Sequence, residues 1–290
     1  MKLLFCKTDI IYAVDADTLL VAGIIKKIKN LFLVYDAHEF FEESPEIINK
    51  KWIQKIWHLI TQFGVNNSHL CISVGEQISH LLSTQFGKQF HTIRNLPDQV
   101  MESNSSLTRE KIIWYQGVLN IGRGLEEMIE CMPFLPDYKF LLAGDGDITQ
   151  LLKNKVKDLN LEDRILFLGK LNKEELISNN RKAYIGINLL SSDSKNYYYS
   201  LANRTFDYIY ATLPSIHMNF PEYNSLINKY EFGILLESLN KSEIISAIQK
   251  LEEPAFYEHC LEQCKKAAMQ NSWKLESEKL IQLINVMHKS

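Results

Sequence analysis

The stretch "KIIWYQGVLNIGRGLEEM", residues 111–128, joins an apolar run to a helical pattern through a turn rich in glycine. The turn contains Gly117, Gly122, Arg123 and Gly124. Glycine lets the backbone approach a ligand closely, and an arginine can make paired hydrogen bonds to a phosphate. A turn of this kind also occurs as a plain connection between a strand and a helix. Phosphate binding is therefore one of two interpretations of this stretch.

Short β-rich runs alternate with helical patterns along the whole chain. Runs such as "LFLVYDA" and "HLCISV" lie in the first third, and "YKFLLAG" and "AYIGINL" lie beyond residue 111. This order predicts an α/β fold with parallel sheets flanked by helices. The polar stretch at 98–111 has no periodicity and predicts a linker. We expect two Rossmann-like domains, residues 1–97 and 98–270. An amphipathic helix at 271–290 could pack back on either domain and is assigned to the first.

Composition excludes several classes of protein. The 290 residues, of which 46% are hydrophobic, suffice for two buried cores. A formal charge of −3 gives no overall attraction to nucleic acid, so no nucleic-acid partner is expected. Five cysteines without a CxxC pair, in a chain without a secretory signal, favour reduced thiols and a cytoplasmic protein. No apolar run reaches the ~18 residues of a membrane span.

Further candidate sites lie where other predicted strands end. Gly144 lies in "LLAGDGD", Gly169 lies in "FLGK", and "LANRTFD" at 201–207 predicts a helix start beside Arg204. In open α/β sheets, ligands bind at the carboxyl ends of strands, where helix N-termini present N–H groups. Together these turns favour a nucleotide site in the second domain.

Metal binding is not expected. The two Asp-x-Asp triplets, "DAD" at 15–17 and "DGD" at 145–147, are explained by a helix cap at Asp17 and by turn chemistry. No HExxH motif or Cys/His cluster indicates zinc.

In the first domain, Asp36, His38 and Glu39 follow an apolar strand, where groups that face a substrate collect. His38 is either satisfied by local backbone hydrogen bonds or contacts the reacting substrate. Downstream, residues 46–63 form an amphipathic pattern with Trp52 and Trp57 near its apolar side and three lysines beside it, Lys50, Lys51 and Lys55. Core packing and binding to an anionic membrane both fit this pattern.

Six segments, taken together and in this order, resemble glycosyltransferase family 4, retaining enzymes of the GT-B fold. They are "VYDAHEFFEESPE", "FHTIRNLPD", "YQGVLNIGRGLEEMIECM", "FLLAGDGD", "DRILFLGKLNKEEL" and "YYYSLANRTFDYIYATLPSI". The resemblance covers nearly the whole chain. It is most specific between about residues 112 and 240.

The resemblance implies a metal-independent transferase that moves a sugar from a UDP- or GDP-sugar, with retention, to a saccharide or a lipid-linked acceptor. Such enzymes assemble cell-surface polysaccharide or glycolipid, here in the cytoplasm or peripherally at the inner membrane face. The nucleotide sugar is a co-substrate, and no cofactor is expected. An epimerase or phosphorylase of the same fold matches the "NRTFDY" and "GRGLEEM" motifs less well.

By family position, Arg123 contacts the diphosphate, Asp207 bonds the ribose and His38 lines the cleft. Arg123, Arg204 and the helix N–H groups near Ala202 and Asn203 would stabilise charge on the leaving phosphate. The other donor-binding positions are Gly117, Gly144, Leu168, Gly169, Lys170, Tyr199 and Leu201.

Two features depart from the family pattern. Tyr199 stands where the family often has an acid that meets sugar hydroxyls. The first domain lacks a Gly-rich loop and looks shortened, so its sheet would expose an edge unless something covers it. A compact enzyme, a partner chain or oligomer that covers the edge, and a truncated reading frame are the alternatives. The chain could accordingly be a nucleotide-sugar-binding subunit that needs a partner for catalysis.

Overall fold

The computed structural model of the chain describes residues 6–43, 47, 49–97 and 109–289. The chain divides into two compact units. The first comprises Met1–Leu96, Ser194–Leu201 and Trp273–Ser290, and the second comprises Pro97–Asp193 and Ala202–Ser272. The predicted linker at 98–111 lies outside the described residues except for its last three positions.

The strands of the first sheet are β1 (Ile10–Val14), β2 (Phe32–Ala37), β3 (Leu70–Ser73) and β4 (Phe90–Thr92). Those of the second are β5 (Ile112–Gln116), β6 (Lys139–Ala143), β7 (Ile165–Gly169), β8 (Ile185–Asn188), β9 (Ser215–Met218) and β10 (Gly233–Leu236). The helices, in chain order, are α1 (Asp15–Lys29), α2 (Lys51–Asn67), α3 (Glu76–Phe86), α4 (Leu125–Cys131), α5 (Thr149–Asp158), α6 (Lys173–Lys182), α7 (Lys195–Tyr198), α8 (Arg204–Tyr210), α9 (Pro221–Tyr230), α10 (Lys241–Leu251), α11 (Pro254–Gln270) and α12 (Trp273–Lys289). Among the described residues, no helix has both the length and the apolar character needed to cross a membrane.

The first unit is a parallel sheet in the order β1-β2-β3-β4. Successive side chains of β2 point to opposite faces, and both faces are buried because helices cover each of them. Leu33 and Tyr35 belong to the cluster that contains Leu19 of α1. Phe32 and Val34 pack against α12, through its residues Leu280, Leu283, Ile284 and Met287. The C-terminal helix therefore completes the core of the first unit.

Strand β1 forms one edge of this sheet. Ile11 and Ala13 are buried in the core, whereas the alternate residues Ile10, Tyr12 and Val14 are each more than a third exposed. In a parallel sheet both faces are ordinarily covered, and a strand that is apolar on both faces is typical of a sheet interior. The edge strand thus presents an apolar row for which the described residues supply no cover.

Helix α1 begins at Asp15, with Val14 as its N-cap residue, rather than at the expected cap Asp17. Both aspartates lie in its first turn, where a carboxylate interacts favourably with the positive end of the helix dipole. The Asp15 carboxylate also accepts a hydrogen bond from the backbone N–H of His38 at 3.0 Å. That bond links the start of α1 to the end of β2. Because the helix already begins at Asp15, the expected cap at Asp17 is wrong.

The second unit is a six-stranded parallel sheet in the order β10-β9-β8-β5-β6-β7. The chain leaves β5 toward β6 and later returns to place β8 on the other side of β5. The strand order therefore changes direction between β5 and β8, and ligands bind beside such a switch point in open α/β sheets. The segments that follow β5, β6 and β7 meet at this edge of the sheet.

The segment Ser194–Leu201 was expected within the second domain and instead belongs to the first unit. The Asn196 amide accepts a hydrogen bond from the Phe40 N–H at 3.2 Å and donates one to the Glu39 carboxylate at 3.0 Å. Tyr199 packs against the core cluster of the same unit. The two Asn196 hydrogen bonds join positions more than 150 residues apart, and the cluster that Tyr199 contacts lies within residues 11–90, so local sequence patterns give no sign of these contacts.

Helix α8 is held in place at its far end by Arg109. The two Nη atoms of Arg109 donate to the carbonyls of Ala183 at 2.7 Å, Ala211 at 2.8 Å and Thr212 at 3.0 Å. These carbonyls lie just after α6 and α8, where the last carbonyls of a helix lack partners within it and favour a cation. Arg109 therefore ties the ends of the two helices together.

We expect Arg109→Met to lower the free energy of unfolding by about 2–4 kcal/mol, because it removes a charged donor from several buried carbonyls. Chemical denaturation of the purified chain measures this. The control is Lys157→Met, since Lys157 is exposed at the end of α5, and its change should stay within about 0.5 kcal/mol. Equal effects of the two substitutions would contradict the assignment.

Candidate functional site

Helix α8 carries an apolar half that fixes it to the sheet. Phe206, Tyr208 and Ile209 are buried, and the Tyr208 hydroxyl donates to the Ile187 carbonyl on β8 at 3.1 Å. Gly186 of β8 makes this packing feasible, because a Cβ atom there would lie 2.7 Å from the Tyr208 ring. The polar residues of the same helix are consequently held at the edge of the sheet.

A cleft of about 480 Å³ lies in the second unit between α8 and the segments after β5, β6 and β7. It contains seven of the residues predicted from the sequence, which are Gly117, Gly144, Lys170, Ala202, Asn203, Arg204 and Asp207. It also contains residues that the sequence did not single out, Gln116, Ala143, Leu171 and Leu176. The cleft lies at the switch point of the sheet, where a ligand is expected.

The Asp207 carboxylate is held by an oriented amide. Gln116 donates from Nε2 to Asp207 Oδ2 at 2.6 Å, and its Oε1 accepts from Trp114 Nε1 at 3.1 Å and from Asn180 Nδ2 at 2.8 Å. These two donors fix the Gln116 amide so that its NH₂ group faces the acid. Of the described residues, none donates to the other Asp207 oxygen.

Burial raises the pKa of Asp207 to about 6. The hydrogen bond from Gln116, and then the positive charges of Lys173 and Arg204, act in the opposite direction and keep the rise moderate. A carboxyl group with such a pKa is mainly ionised at neutral pH and readily accepts further hydrogen bonds.

Arg204 lies beneath the cleft as a fixed positive charge. It is 7% exposed, donates from Nη1 to the Gln116 carbonyl at 2.8 Å and places its guanidinium 4.6 Å from the centre of the Tyr115 ring. Its position requires glycine at 117, because a Cβ atom there would lie 2.8 Å from Arg204 Nη1. The guanidinium is therefore a positive charge that protein groups hold in place at the cleft.

The two glycines after β5 and β6 serve close packing of the backbone. Gly117 has φ 142° and Gly144 has φ 133°, and a Cβ atom at 144 would lie 1.8 Å from the Gly117 carbonyl oxygen. Their N–H groups donate to the carbonyls of Ala143 and Gly169, at 2.9 and 2.7 Å. These N–H groups are occupied within the protein, so the glycines shape the floor of the cleft.

The N–H of Ala202 is occupied as well. It donates to the Tyr223 hydroxyl at 3.1 Å, which corrects the expectation that this N–H would meet the leaving phosphate. The Tyr223 ring stacks on His217, whose Nε2 lies 2.8 Å from the Ser215 hydroxyl. Burial lowers the pKa of His217 to about 3, so its ring is neutral. No sequence signal singled out this buried group of side chains.

Besides Tyr199, four residues that were predicted to bind the donor do not line the cleft. Leu168 packs on an apolar cluster of the second unit, Gly169 supplies its carbonyl to Gly144, and Leu201 is buried in the first unit. Arg123 lies in the turn before α4, where the Gly122 carbonyl accepts from the Ser191 N–H at 2.9 Å. Donor contacts of these residues stay predictions.

Tyr199, also predicted to bind the donor, is part of the first unit. It lies just after α7 and packs against the core cluster of that unit. Its assignment to the second domain is therefore wrong, because the segment Ser194–Leu201 packs as part of the first unit. A donor contact of Tyr199 stays a prediction.

In the first unit, His38 is held by a side chain rather than by backbone groups alone. His38 Nε2 lies 3.2 Å from Asp36 Oδ2, and the Tyr12 hydroxyl donates to the same oxygen at 2.6 Å. The hydrogen bond to Asp36 raises the pKa of His38, whereas burial acts in the opposite direction. The ring is 38% exposed, so it remains open to a ligand, and its catalytic role stays a prediction.

The two Asp-x-Asp triplets show ordinary structural roles. Asp145 Oδ1 accepts from the Gly146 N–H at 2.9 Å and from the Thr149 hydroxyl at 2.7 Å, as in a turn that leads into a helix. Across the part of the chain that the structure describes, we find no group of three or more His, Cys, Asp or Glu side chains placed to hold a metal ion.

Solved structures confirm the expected fold class, the GT-B fold of glycosyltransferases, in which each of two α/β units contains a parallel sheet. Anabaena Alr3699/HepE, crystallised in complex with UDP, is 17% identical with a TM-score of 0.78, over 96% of this chain and 79% of that one. The Thermosynechococcus elongatus sucrose-phosphate synthase is 15% identical with a TM-score of 0.79, over 97% and 74%. The pneumococcal O-GlcNAc transferase GtfA, crystallised with UDP and GlcNAc, is 16% identical with a TM-score of 0.76, over 96% and 57%.

A search of curated proteins found no match. A family model, by contrast, matches residues 98–270, which include every residue that lines the cleft. Its description is "Glycosyl transferases group 1". Because the match spans more than half of the 290 residues, this chain belongs to the group 1 glycosyltransferases.

Proposed function

We propose that the chain transfers a sugar from a nucleotide-sugar donor and that the cleft of the second unit holds this donor. One observation carries the proposal. A single cleft at the switch point brings together the oriented carboxylate of Asp207, the buried charge of Arg204 and the exposed amine of Lys170. A nucleotide sugar has two features that need such groups, the ribose hydroxyls and the diphosphate.

Asp207 would bind the ribose. Gln116 occupies one carboxylate oxygen, and the other can accept from ribose hydroxyl groups. Hydrogen bonds to an ionised acceptor are worth more than neutral ones, roughly 1.5–3 kcal/mol each. Because Gln116 and Arg204 are themselves fixed, the acceptor is preorganised and loses little entropy when the donor binds.

The two cations of the cleft would stabilise the leaving group. When a nucleoside diphosphate departs, negative charge grows on its phosphate oxygens while the sugar gains oxocarbenium character. Arg204 supplies a fixed charge below the site, and Lys170 supplies a mobile one at its rim. Arg123 joins them only by its family position. These cations support the proposal that transfer needs no metal.

The finer features of the reaction rest on the resemblance to family 4. We propose retention of configuration, with the leaving phosphate accepting the proton of the attacking hydroxyl. A catalytic role for His38, whose ring is held by Asp36, rests on the same resemblance. UDP in the solved structures of HepE and GtfA supports a UDP-sugar over a GDP-sugar as donor. The acceptor would be a saccharide or a lipid-linked saccharide of the cell surface, and the enzyme would work in the cytoplasm.

A second candidate function is that of a donor-binding subunit that needs a partner chain for catalysis. The exposed apolar row of β1, formed by Ile10, Tyr12 and Val14, favours it. A strand and helix from another polypeptide or from a second copy would cover this edge and complete the sheet. The residues that line the cleft all belong to the second unit, so this subunit would still bind the nucleotide sugar.

Calorimetry with a panel of UDP- and GDP-sugars tests the donor site. We expect Asp207→Ala to weaken donor binding roughly tenfold to a hundredfold, because a charged acceptor is lost. Asp163→Ala is the matched control, since Asp163 is exposed at the other end of β7, and should leave affinity unchanged. Circular dichroism checks the fold of both variants.

Assays of transfer and of slow donor hydrolysis by the wild-type chain then separate the two functions. Turnover supports the complete enzyme, and binding without turnover supports the subunit. If no nucleotide sugar binds to the wild-type chain, both proposals fail.

Donor affinity should depend on the ionisation of Asp207. Because its pKa is raised to about 6, protonation at about pH 5 leaves roughly a tenth of the carboxylate ionised. We expect the affinity for UDP-glucose, whose diphosphate ester gains no proton in this range, to fall severalfold between about pH 7.5 and about pH 5. Asp207→Asn should bind more weakly and lose this dependence. A variant that keeps the full pH dependence would show that another group titrates.

A further inference from the structure

Helices α1 and α2 of the first unit each leave one apolar stripe exposed. On α1 the stripe consists of Leu20, Ile24 and Ile28, which are 38%, 46% and 66% exposed. On α2 it consists of Trp52, Ile56 and Leu59, which are 68%, 46% and 68% exposed. Residues spaced by three or four positions share one side of a helix. We call these six residues the helix-pair face.

The two stripes form one surface because the helices pack closely. A Cβ atom on Gly64 of α2 would lie 2.1 Å from Leu19 Cγ, and one on Gly23 of α1 would lie 2.9 Å from the Phe63 ring. Phe63 follows Leu59 by four positions and so extends the stripe of α2 to its contact with Gly23 of α1.

Core packing accounts for Trp57 and not for Trp52. The Trp57 ring lies edge-on to Phe41, with 4.6 Å between the ring centres, and is partly buried. Trp52 is 68% exposed on the opposite side of the same helix. The two interpretations of the tryptophan and lysine segment therefore apply to different sides of α2.

Both helices of the helix-pair face carry lysines. Helix α2 contains Lys51 and Lys55 and no acidic residue, and Lys50 precedes it. The acids of α1 are confined to its first turn, whereas its last turn contains Lys26, Lys27 and Lys29. The Lys27 amine lies 4.9 Å from the centre of the Phe63 ring, directly over the junction of the two stripes. Glu42, which precedes α2, is engaged with His58 at 3.2 Å.

We propose that the helix-pair face docks on the surface of an anionic lipid bilayer. Its tryptophan and aliphatic side chains would enter the boundary between headgroups and acyl chains, and the lysines would meet anionic headgroups. An apolar protein partner would not need the lysines of the two helices, whereas an anionic bilayer matches both the apolar stripes and the lysines. The proposal does not depend on the identity of the donor. It favours a lipid-linked acceptor over a free saccharide.

Vesicle flotation with the full chain tests this proposal. The probes are vesicles of phosphatidylcholine alone and vesicles of phosphatidylcholine mixed with phosphatidylglycerol. We expect the chain to float with the anionic vesicles and to be released by high salt, because screening weakens surface attraction. The neutral vesicles should bind much less.

Two variants remove the two features of the face separately. Trp52→Ser with Leu59→Ser removes apolar contacts, and Lys50→Glu, Lys51→Glu and Lys55→Glu reverse the charge. Each should lower vesicle binding at least about tenfold. All five residues are exposed, so the variants should fold, which circular dichroism confirms.

Matched controls change similar residues elsewhere. Phe134→Ser with Leu151→Ser removes two exposed apolar residues of the second unit. Lys157→Glu, Lys266→Glu and Lys274→Glu reverse three exposed lysines. Both control sets should bind vesicles as the wild type does.

The proposal is overturned if both face variants bind the anionic vesicles as well as the wild type does. It is also overturned if the wild-type chain floats with neither kind of vesicle. Size-exclusion chromatography with light scattering tests whether a second copy of the chain covers the helix-pair face instead. A dimer that Trp52→Ser with Leu59→Ser dissociates, in a chain that binds no vesicle, would assign the face to a second copy and overturn the membrane proposal.

Discussion

The hydrogen bond from Arg204 to the carbonyl of Gln116 is the contact on which the site depends. It joins the start of α8 to the end of β5 across 2.8 Å and places a charge under the cleft. Burying a guanidinium costs free energy unless hydrogen-bond acceptors and neighbouring rings compensate, and the Gln116 carbonyl and the Tyr115 ring do so here. The glycines follow from this contact. Position 117 has no room for a side chain beside Arg204, and position 144 has none beside the Gly117 carbonyl.

This arrangement explains why Arg204 and Asp207, a cation and a carboxylate, lie in the first turn of the largely buried helix α8. Phe206, Tyr208 and Ile209 fix α8 on the sheet, and this rigid base holds Asp207 against Gln116. The raised pKa of Asp207 shows that its burial is unfavourable for the charged form. Groups kept in an unfavourable environment are common at functional sites, where stability is given up for a preorganised ligand contact.

Much of the fold was predictable because its signals are local. Apolar runs and helical periodicity predicted the alternating order of strands and helices, and glycine turns at strand ends predicted where a ligand would bind. Seven of the predicted site residues meet in one cleft. Gln116 was missed because it reads as the last residue of an apolar strand. Its role follows from Asp207, 91 positions away, and from Asn180, 64 positions away.

The other differences between prediction and structure also arise from contacts between residues that are far apart in the sequence. Asn196 and Tyr199 join the first unit through contacts with residues more than 100 positions away, which no periodicity records. The occupied N–H of Ala202 depends on Tyr223, and the glycine N–H groups depend on neighbouring strands. A sequence pattern predicts that backbone groups collect at a strand end. It does not predict which of them the protein itself will use.

The central claim is that the cleft beside α8 binds the nucleotide of the donor. A crystal structure of the chain with bound UDP tests it most directly. We expect ribose hydroxyls on the Asp207 oxygen that Gln116 leaves open, with the diphosphate near Lys170 and above Arg204. UDP bound elsewhere, or bound in the cleft with its ribose away from Asp207, would contradict it.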